Sequence, residues 1–299
     1  MLREARNKVD IVGILSEVDL DYGSINKNGS PMTTIKGTIK VRVNQTLPSG
    51  EKQELEIPVN MFATEFTNKG TKHPGFESIE RVKNEFKSIA AVGIENADYV
   101  RISNGRLEMN EYYGQNGNLI SYPRITTNFV DKVSPDRFPA RAEFVCEFQV
   151  GSMGYKTDAD GVEDTSCYQV VGIVPKYGGK VWVMPFLATY PNVIAGVQDT
   201  FSVGDSVVVT GRLNFTTQTS ERVIEQAFGE PQVKVFTTSV SDLVIKGGDP
   251  LGDELAFDNA EIAEALKTRQ ADLAALKDRQ KNRTKEAPIK PVSYTDLGF

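Results

Sequence analysis

Apolar and polar residues alternate strictly over residues 35–43, and this pattern constrains the fold more than any other feature of the chain. The apolar series, broken once by a glycine, is Ile35, Gly37, Ile39, Val41 and Val43. Residues 55–61 alternate in the same way. Because successive side chains of a β-strand point to opposite faces, period-2 alternation predicts strands with one buried face. We therefore expect a mainly β fold.

Strand patterns recur along most of the chain, with turn signals between them. In the first half they cover residues 9–66, 99–102, 107–113 and 119–130. In the second half they cover 143–150, 167–174, 181–187, 206–215 and 233–244. A helix is predicted near 77–91, from a single apolar stripe at spacings of three and four, and a short helical stretch at 191–201. Two glycines within 247–250 are expected to end this part of the chain.

A long helix is predicted over residues 258–285, followed by a tail. Asp258 and Glu261 have the spacing of a capping pair at the start of this helix. Acidic residues come before basic ones along it, an order that opposes the helix dipole. The tail contains two prolines and is expected to be flexible.

The two halves of the chain share an order of elements. Residues 62–64 correspond to 187–189, and residues 98–107 correspond to 205–213, where both strands contain Gly-Arg-Leu. These short matches in one order favour an internal duplication over chance. Each copy has the order β-β-β-α-β-β, which is that of the five-stranded OB-fold barrel. Gly37 and Gly172 are placed to let a strand bend at a barrel corner.

Composition excludes several classes of protein. The 299 residues carry 34 basic and 40 acidic side chains, a formal net charge of −6, so any nucleic-acid-binding face must be local. One histidine and two cysteines exclude most zinc sites and a disulfide framework. No apolar run approaches the length of a membrane helix, so we expect no membrane partner and a cytoplasmic location. No nucleophile and base set or phosphate-binding glycine loop stands out, so we expect neither an enzyme nor a cofactor.

The stretch Gly-Asp-Ser-Val-Val-Val-Thr-Gly-Arg-Leu at 204–213 resembles a strand of OB-fold single-stranded DNA-binding proteins. Residues 9–15 look like the first strand of that fold, and the ending at 294–299 resembles the acidic, Phe-terminated tip by which bacterial members recruit partners. The tip has one acidic residue where several are usual, and Leu-Gly-Phe where Ile-Pro-Phe is usual. The resemblance implies a single-stranded DNA-binding protein of a large bacteriophage. The implied fold is two tandem OB-fold-like five-stranded barrels, a long C-terminal helix and a flexible tail, divided as 1–134, 135–248 and 249–299.

Candidate DNA-binding residues follow from that fold, since OB-folds hold single strands on the face of their second and third strands. Cations would contact phosphates there, and aromatic rings would stack on bases. In the first barrel these candidates are Lys36, Lys40, Arg42, Arg101, Arg106, Tyr112, Tyr113, Tyr122 and Arg124. In the second they are Trp182, Arg212 and Phe215. The alternative for each is an ordinary place in the solvated sheet face, a turn or the core.

Two further expectations concern partners. Asp296, Leu297 and Phe299 are candidates for recruiting replication or recombination proteins, and the alternative is that they fold back onto a barrel. The helix at 258–285 is a candidate for self-association. A different class of function also fits the acidity and the long helix, namely a virion or assembly protein built from β-barrels. A third possibility is a recombination mediator that contacts a partner through the helix.

Overall fold

The structure, a computed structural model, describes residues 2–27, 29–47, 50–114, 116–157, 160–224 and 232–286. The chain is mainly β and has a long helix near its C-terminus. In chain order the elements are β1 Asn7–Lys27, β2 Ser30–Thr46, β3 Lys52–Thr64, α1 Pro74–Glu85, α2 Ile89–Val92, β4 Tyr99–Tyr113, β5 Leu119–Thr126, β6 Asp131–Lys132, β7 Arg141–Thr157, β8 Glu163–Lys176, β9 Lys180–Ala188, α3 Pro191–Thr200, β10 Ser206–Ile224, β11 Gln232–Pro250 and α4 Asn259–Glu286.

Five strands of the first half pair in a closed order, which we call the first ring. β1 pairs with β2 and β2 with β3, both antiparallel. β3 then pairs in parallel with β5 at Val59 and Ile125, and β5 pairs with β4. β4 returns to β1, which completes the ring in the order β1-β2-β3-β5-β4.

The second half repeats this order in a second ring, β7-β8-β9-β11-β10. The parallel pair here joins β9 and β11 at Leu187 and Val244. A helix lies between the third and fourth strands of both rings, α1 and α2 in the first and α3 in the second. The order of elements that suggested a duplication is therefore present in the pairing of the strands.

A glycine stands at the same place in both rings. Gly37 pairs with Met61, and Gly172 pairs with Met184. Gly37 has φ +151°, and a Cβ atom there would lie 2.0 Å from the Asp19 carbonyl oxygen. A Cβ atom on Gly172 would lie 2.6 Å from the ring of Phe148. Both glycines permit a close approach that no other residue allows, as the sequence predicted for a strongly bent strand.

Strand pairing and α4 join the two rings. The first half of β1 pairs with β7, from Asn7 with Cys146 to Val12 with Arg141. The helix α4 packs against β9 of the second ring and β4 of the first. Its Ile262 and Ala265 are buried in the common core. The Oδ1 atom of Asp258 accepts from the backbone nitrogens of residues 260 and 261 at 2.9 Å, so Asp258 caps the helix as predicted.

Two predictions about element boundaries were wrong. The predicted helix at 77–91 is instead two helices, because α1 starts at Pro74, where His73 caps it, and ends before an extended residue at Phe86. The predicted strand at 233–244 is longer in the structure, because β11 continues through residues 247–250 and Val207 pairs with Pro250. A Cβ atom on Gly248 would lie 2.6 Å from the Val208 carbonyl oxygen, so the glycine allows this strand to lie close to β10.

The helices of the described residues include none with the length and apolar character of a membrane-spanning helix.

Candidate nucleic-acid interface

A groove of about 1480 Å³ lies on the first ring. It is lined by residues 36–38 of β2 and 60–62 of β3. The end of β5 and the residues after it, 126–129, also line it, as do the N-terminal segment 3–8 and residues 104–106 of β4. One residue of the second ring, Glu147 on β7, also lines it.

Two phenylalanine rings are exposed in this groove. Phe62 is 52% exposed and lies on β3, directly opposite Lys36 of β2. Phe129 is 45% exposed and follows β5. The buried Thr127 fixes the turn that carries Phe129, since its Oγ1 atom donates to the Phe129 carbonyl oxygen and accepts from its nitrogen, both at 3.2 Å. Two exposed rings that line one groove offer apolar surface that a ligand can cover.

The charges of the groove are mixed, and three of its cations are available to a ligand. Arg106 forms an ion pair with Glu4 at 2.8 Å, and Arg124 with Glu108 at 3.0 Å. In contrast, no hydrogen bond or ion pair within the described residues engages three groove side chains, those of Arg6, Lys8 and Lys36. The carboxylates of Asp19 and Asp21 also line the groove, so its positive charge is local.

Comparison with known proteins gives a family for the chain. Residues 5–279 match the sequence profile of the YorF family. The chain belongs to this family. A comparison with curated proteins gave no match. Among solved structures, the chain is similar to the wild-type single-stranded DNA-binding protein of Thermus aquaticus, with 12% identity, TM-score 0.48 and coverage of 84% of this chain and 95% of that one. A deletion mutant of that protein gives TM-score 0.47, 12% identity and coverage of 84% and 96%.

The predicted cationic row on β2 is divided in this YorF-family chain. Lys36 lines the groove. Lys40 bonds to Glu17 at 2.6 Å, and this hydrogen bond raises the pKa of Lys40 although burial opposes it. The Nε atom of Arg42 lies 3.8 Å from the Oε1 atom of Glu54. Lys40 and Arg42 therefore have carboxylate partners and lie outside the groove lining, and their contact with DNA stays a prediction.

Arg101 is part of an ion cluster between strands, away from the groove. Its guanidinium donates to both carboxylate oxygens of Asp10, at 2.9 and 3.2 Å, and lies over the ring of Phe138. Arg141 of β7 donates to the same carboxylate. Through these contacts Arg101 helps to join β1, β4 and β7. The structure thus gives Arg101 a structural role, whereas the sequence suggested a phosphate contact.

This cluster predicts a pH dependence of stability. Burial alone would raise the pKa of Asp10, but hydrogen bonds from Arg101 and Arg141 outweigh it and hold the pKa below 3.8. The carboxylate thus contributes stability above its unfolded pKa, and this contribution is lost as the pH falls through its folded pKa. We expect Asp10→Asn to lower the Tm at neutral pH. The Tm of this variant should then decrease less than that of the wild type as the pH is lowered into strong acid, measured by thermal melting from pH 7 downward. An equal fall in variant and wild type would contradict this.

The predicted tyrosine hairpin is exposed at its far end. On one face of the β4–β5 hairpin, Arg124 is followed by Tyr122 and by Tyr112, whose rings meet edge to face at 6.5 Å. Both are 40% exposed. Tyr113 points elsewhere, and Lys277 of α4 lies 5.5 Å from the centroid of its ring. The first two tyrosines are accessible beside the groove, whereas Tyr113 is engaged by α4.

The described residues of the second ring do not repeat the cation and the exposed aromatic ring on the second and third strands. Aligned through Gly37 and Gly172, the counterparts of Lys36 and Phe62 are Val171 and Pro185. Of the predicted sites in this ring, Trp182 is half-buried, and the Lys176 amine lies 3.2 Å from the centroid of one of its rings. The Cζ atom of Arg212 lies 5.8 Å from the centroid of the Tyr190 ring. The prediction for Phe215 was wrong, because this ring is 2% exposed and packs in the core.

Sequence reasoning missed both phenylalanines of the groove and the two N-terminal cations. A signal existed for Phe62, which follows Met61 and so falls on the solvent face of the alternating strand β3. Phe129 fell inside the predicted strand 119–130, but β5 ends at Thr126 and Phe129 lies in the turn after it. Arg6 and Lys8 precede the first strand pattern, which begins at residue 9. Within the described parts of the chain, no cluster of three or more His, Cys, Asp or Glu side chains could hold a metal ion.

Proposed function

We propose that this chain is a non-enzymatic, sequence-tolerant binder of single-stranded DNA, and that the strand lies in the groove of the first ring. The observation that carries the proposal is the presence of two exposed phenylalanine rings in the same groove as three cations that pair with none of the described residues. Bases stack on aromatic side chains at about 1–3 kcal/mol each, whatever their identity. In a duplex the faces of the bases are already stacked on one another, so this groove favours single strands.

The rest of the groove fits this reading. We propose that both rings are OB-folds, since each has the strand order of that fold, and OB-folds bind single strands on the face of their second and third strands. Lys36 and Phe62 lie on that face. We also propose the domain boundaries 1–134, 135–248 and 249–299, with DNA binding in the first domain. Arg106, Arg124, Tyr112 and Tyr122 are further contacts along the groove and the adjacent hairpin, where a phosphate would compete with Glu4 and Glu108 for the two arginines.

Partner recruitment is a separate proposal that rests on the sequence. Asp296, Leu297 and Phe299 lie outside the described residues. A role in replication, recombination or repair, a cytoplasmic location and a bacteriophage source likewise rest on the sequence resemblance. Self-association through residues 258–285 would have to use the outward face of α4, because Ile262 and Ala265 are buried against the protein's own core.

Fluorescence titration tests the proposed function directly. The protein is titrated with oligo-dT and with a duplex of equal length, each at two salt concentrations. We expect micromolar or tighter binding to oligo-dT, at least about tenfold tighter than to the duplex, a difference of ~1.4 kcal/mol. Affinity should fall as salt rises, because phosphate contacts release counterions. Equal affinity for both ligands would refute the proposal, and no binding at either salt concentration would favour a structural protein of a virion.

A further inference from the structure

Two consecutive residues of the N-terminal segment are held by the rest of the protein. The Arg6 nitrogen donates to Oε2 of Glu147 at 3.0 Å, and the Arg6 carbonyl oxygen accepts from the Glu147 nitrogen at 2.8 Å. The side-chain amide of Asn7 donates to the Leu107 carbonyl oxygen at 2.8 Å and accepts from the Leu107 nitrogen at 3.0 Å. The segment is thus attached to the second ring at Arg6 and to the first ring at Asn7.

The side chains on either side of Asn7 have no hydrogen-bond or ion-pair partner among the described residues. Arg6 and Lys8 are both exposed and both line the groove. In extended chain, residues two apart point to the same side, so bonds that fix the backbone here also fix the direction of both cations. The ordering cost for a phosphate to meet two such cations is lower when their backbone is already held.

Glu147 provides the attachment on the side of the second ring. It is 8% exposed, and its Oε2 atom also accepts from Nη1 of Arg3 at 2.7 Å. Arg3 is itself fixed, since its Nε atom donates to the Leu255 carbonyl oxygen at 3.0 Å and its guanidinium lies 4.1 Å from the centroid of the Phe257 ring. A buried carboxylate with two such partners is costly to disturb.

We propose that Glu147 is a positioning residue of the strand-binding groove. Through the backbone of Arg6 it holds the Arg6 side chain toward the phosphates of the bound strand, beside Lys8, which the pairing of β1 with β7 holds. A residue of the second ring thus completes a site on the first. Glu147 itself does not contact DNA in this scheme. The inference rests on the proposed function, because it concerns how the same groove binds a single strand.

Two variants separate the parts played by the Glu147 side chain. Glu147→Gln retains an oxygen for the Arg6 nitrogen but removes the charge opposite Arg3, whereas Glu147→Ala removes both. We expect oligo-dT affinity to decrease from wild type to the glutamine variant to the alanine variant, by roughly threefold in the last, as for the loss of about one phosphate contact. The matched control is Glu143→Gln, a carboxylate on the same strand that pairs with Lys246 outside the groove lining and should leave affinity unchanged.

A double-mutant cycle distinguishes positioning from general destabilisation. If Glu147 acts through Arg6, then neither Glu147 variant weakens binding further in an Arg6→Ala background. The inference is overturned if the Glu147 variants lose the same oligo-dT affinity in both backgrounds, or if they lose none in the wild-type background. The glutamine variant carries the cycle if the alanine variant does not fold. Failure of wild type to bind oligo-dT would instead refute the proposed function, and amide exchange at Arg6, measured without DNA, would still report whether Glu147 holds this backbone.

Discussion

Replacing Phe62 and Phe129 together by alanine is expected to weaken oligo-dT binding by about 30-fold or more. Each ring offers a face to one base, and the loss of one stack costs about 1–3 kcal/mol, so two stacks account for at least ~2 kcal/mol. Both rings are half-exposed and pack little against the core, so the fold should survive the change. Fluorescence titration of the double variant, with thermal melting beside it, measures both effects.

Phe66 is the matched control for these rings. It is 41% exposed and lies just after β3, four residues from Phe62, but it does not line the groove. Phe66→Ala should therefore leave the affinity for oligo-dT unchanged. A similar loss in this variant would mean that exposed aromatic surface in general drives binding. An unchanged affinity in the double variant would remove the groove as the site.

Replacing Arg6, Lys8 and Lys36 by alanine is expected to flatten the salt dependence of binding. Three phosphate contacts at about 0.7 each correspond to a change of roughly 2 in the slope of log K against log salt. Affinity should fall most at low salt, where counterion release contributes most. The measurement is a series of oligo-dT titrations over a range of salt concentrations.

Lys40 and Arg42 supply the comparison for this prediction. They lie on the same strand face as Lys36, yet each is beside a carboxylate, Glu17 or Glu54. Their joint replacement by alanine should change the slope much less than the groove triple does. If instead this pair flattened the slope and the triple did not, the DNA would follow β2 away from the groove, along the row that the alternating sequence first suggested.

Local patterns in the sequence were sufficient for the elements and their order. The alternation over 35–43 and 55–61 corresponds to β2 and β3, and the capped stretch from Asp258 corresponds to α4. These features depend on neighbours in the chain, such as the direction of successive side chains or a cap three residues away. Gly37 was also informative, because a close backbone approach leaves only one residue type possible.

The site depended on contacts that no local pattern encodes. Arg101 looked available on its strand, but its partner Asp10 lies 91 residues earlier. Arg6 was part of an unremarkable N-terminus until Glu147, 141 residues later, was seen to hold it. Phe129 belonged to the predicted strand 119–130, but it lies three residues beyond the end of β5, where the period-2 pattern no longer applies. Sequence therefore indicated the class of fold well, whereas the availability of each charge and ring required the three-dimensional arrangement.

The attachment of the N-terminal segment also bears on the synthesis of the protein. Residues 3 and 5 bond to residues made much later, since Arg3 donates to the Leu255 carbonyl oxygen, 252 residues on, and the Ala5 nitrogen donates to the Pro175 carbonyl oxygen. The second half of β1 finds β2 nearby, so the first ring can begin to form early, but the N-terminal segment of its groove must wait for the second ring. We expect a chain that stops before β7 to hold a strand poorly, because the proposed groove then lacks the contacts that fix this segment.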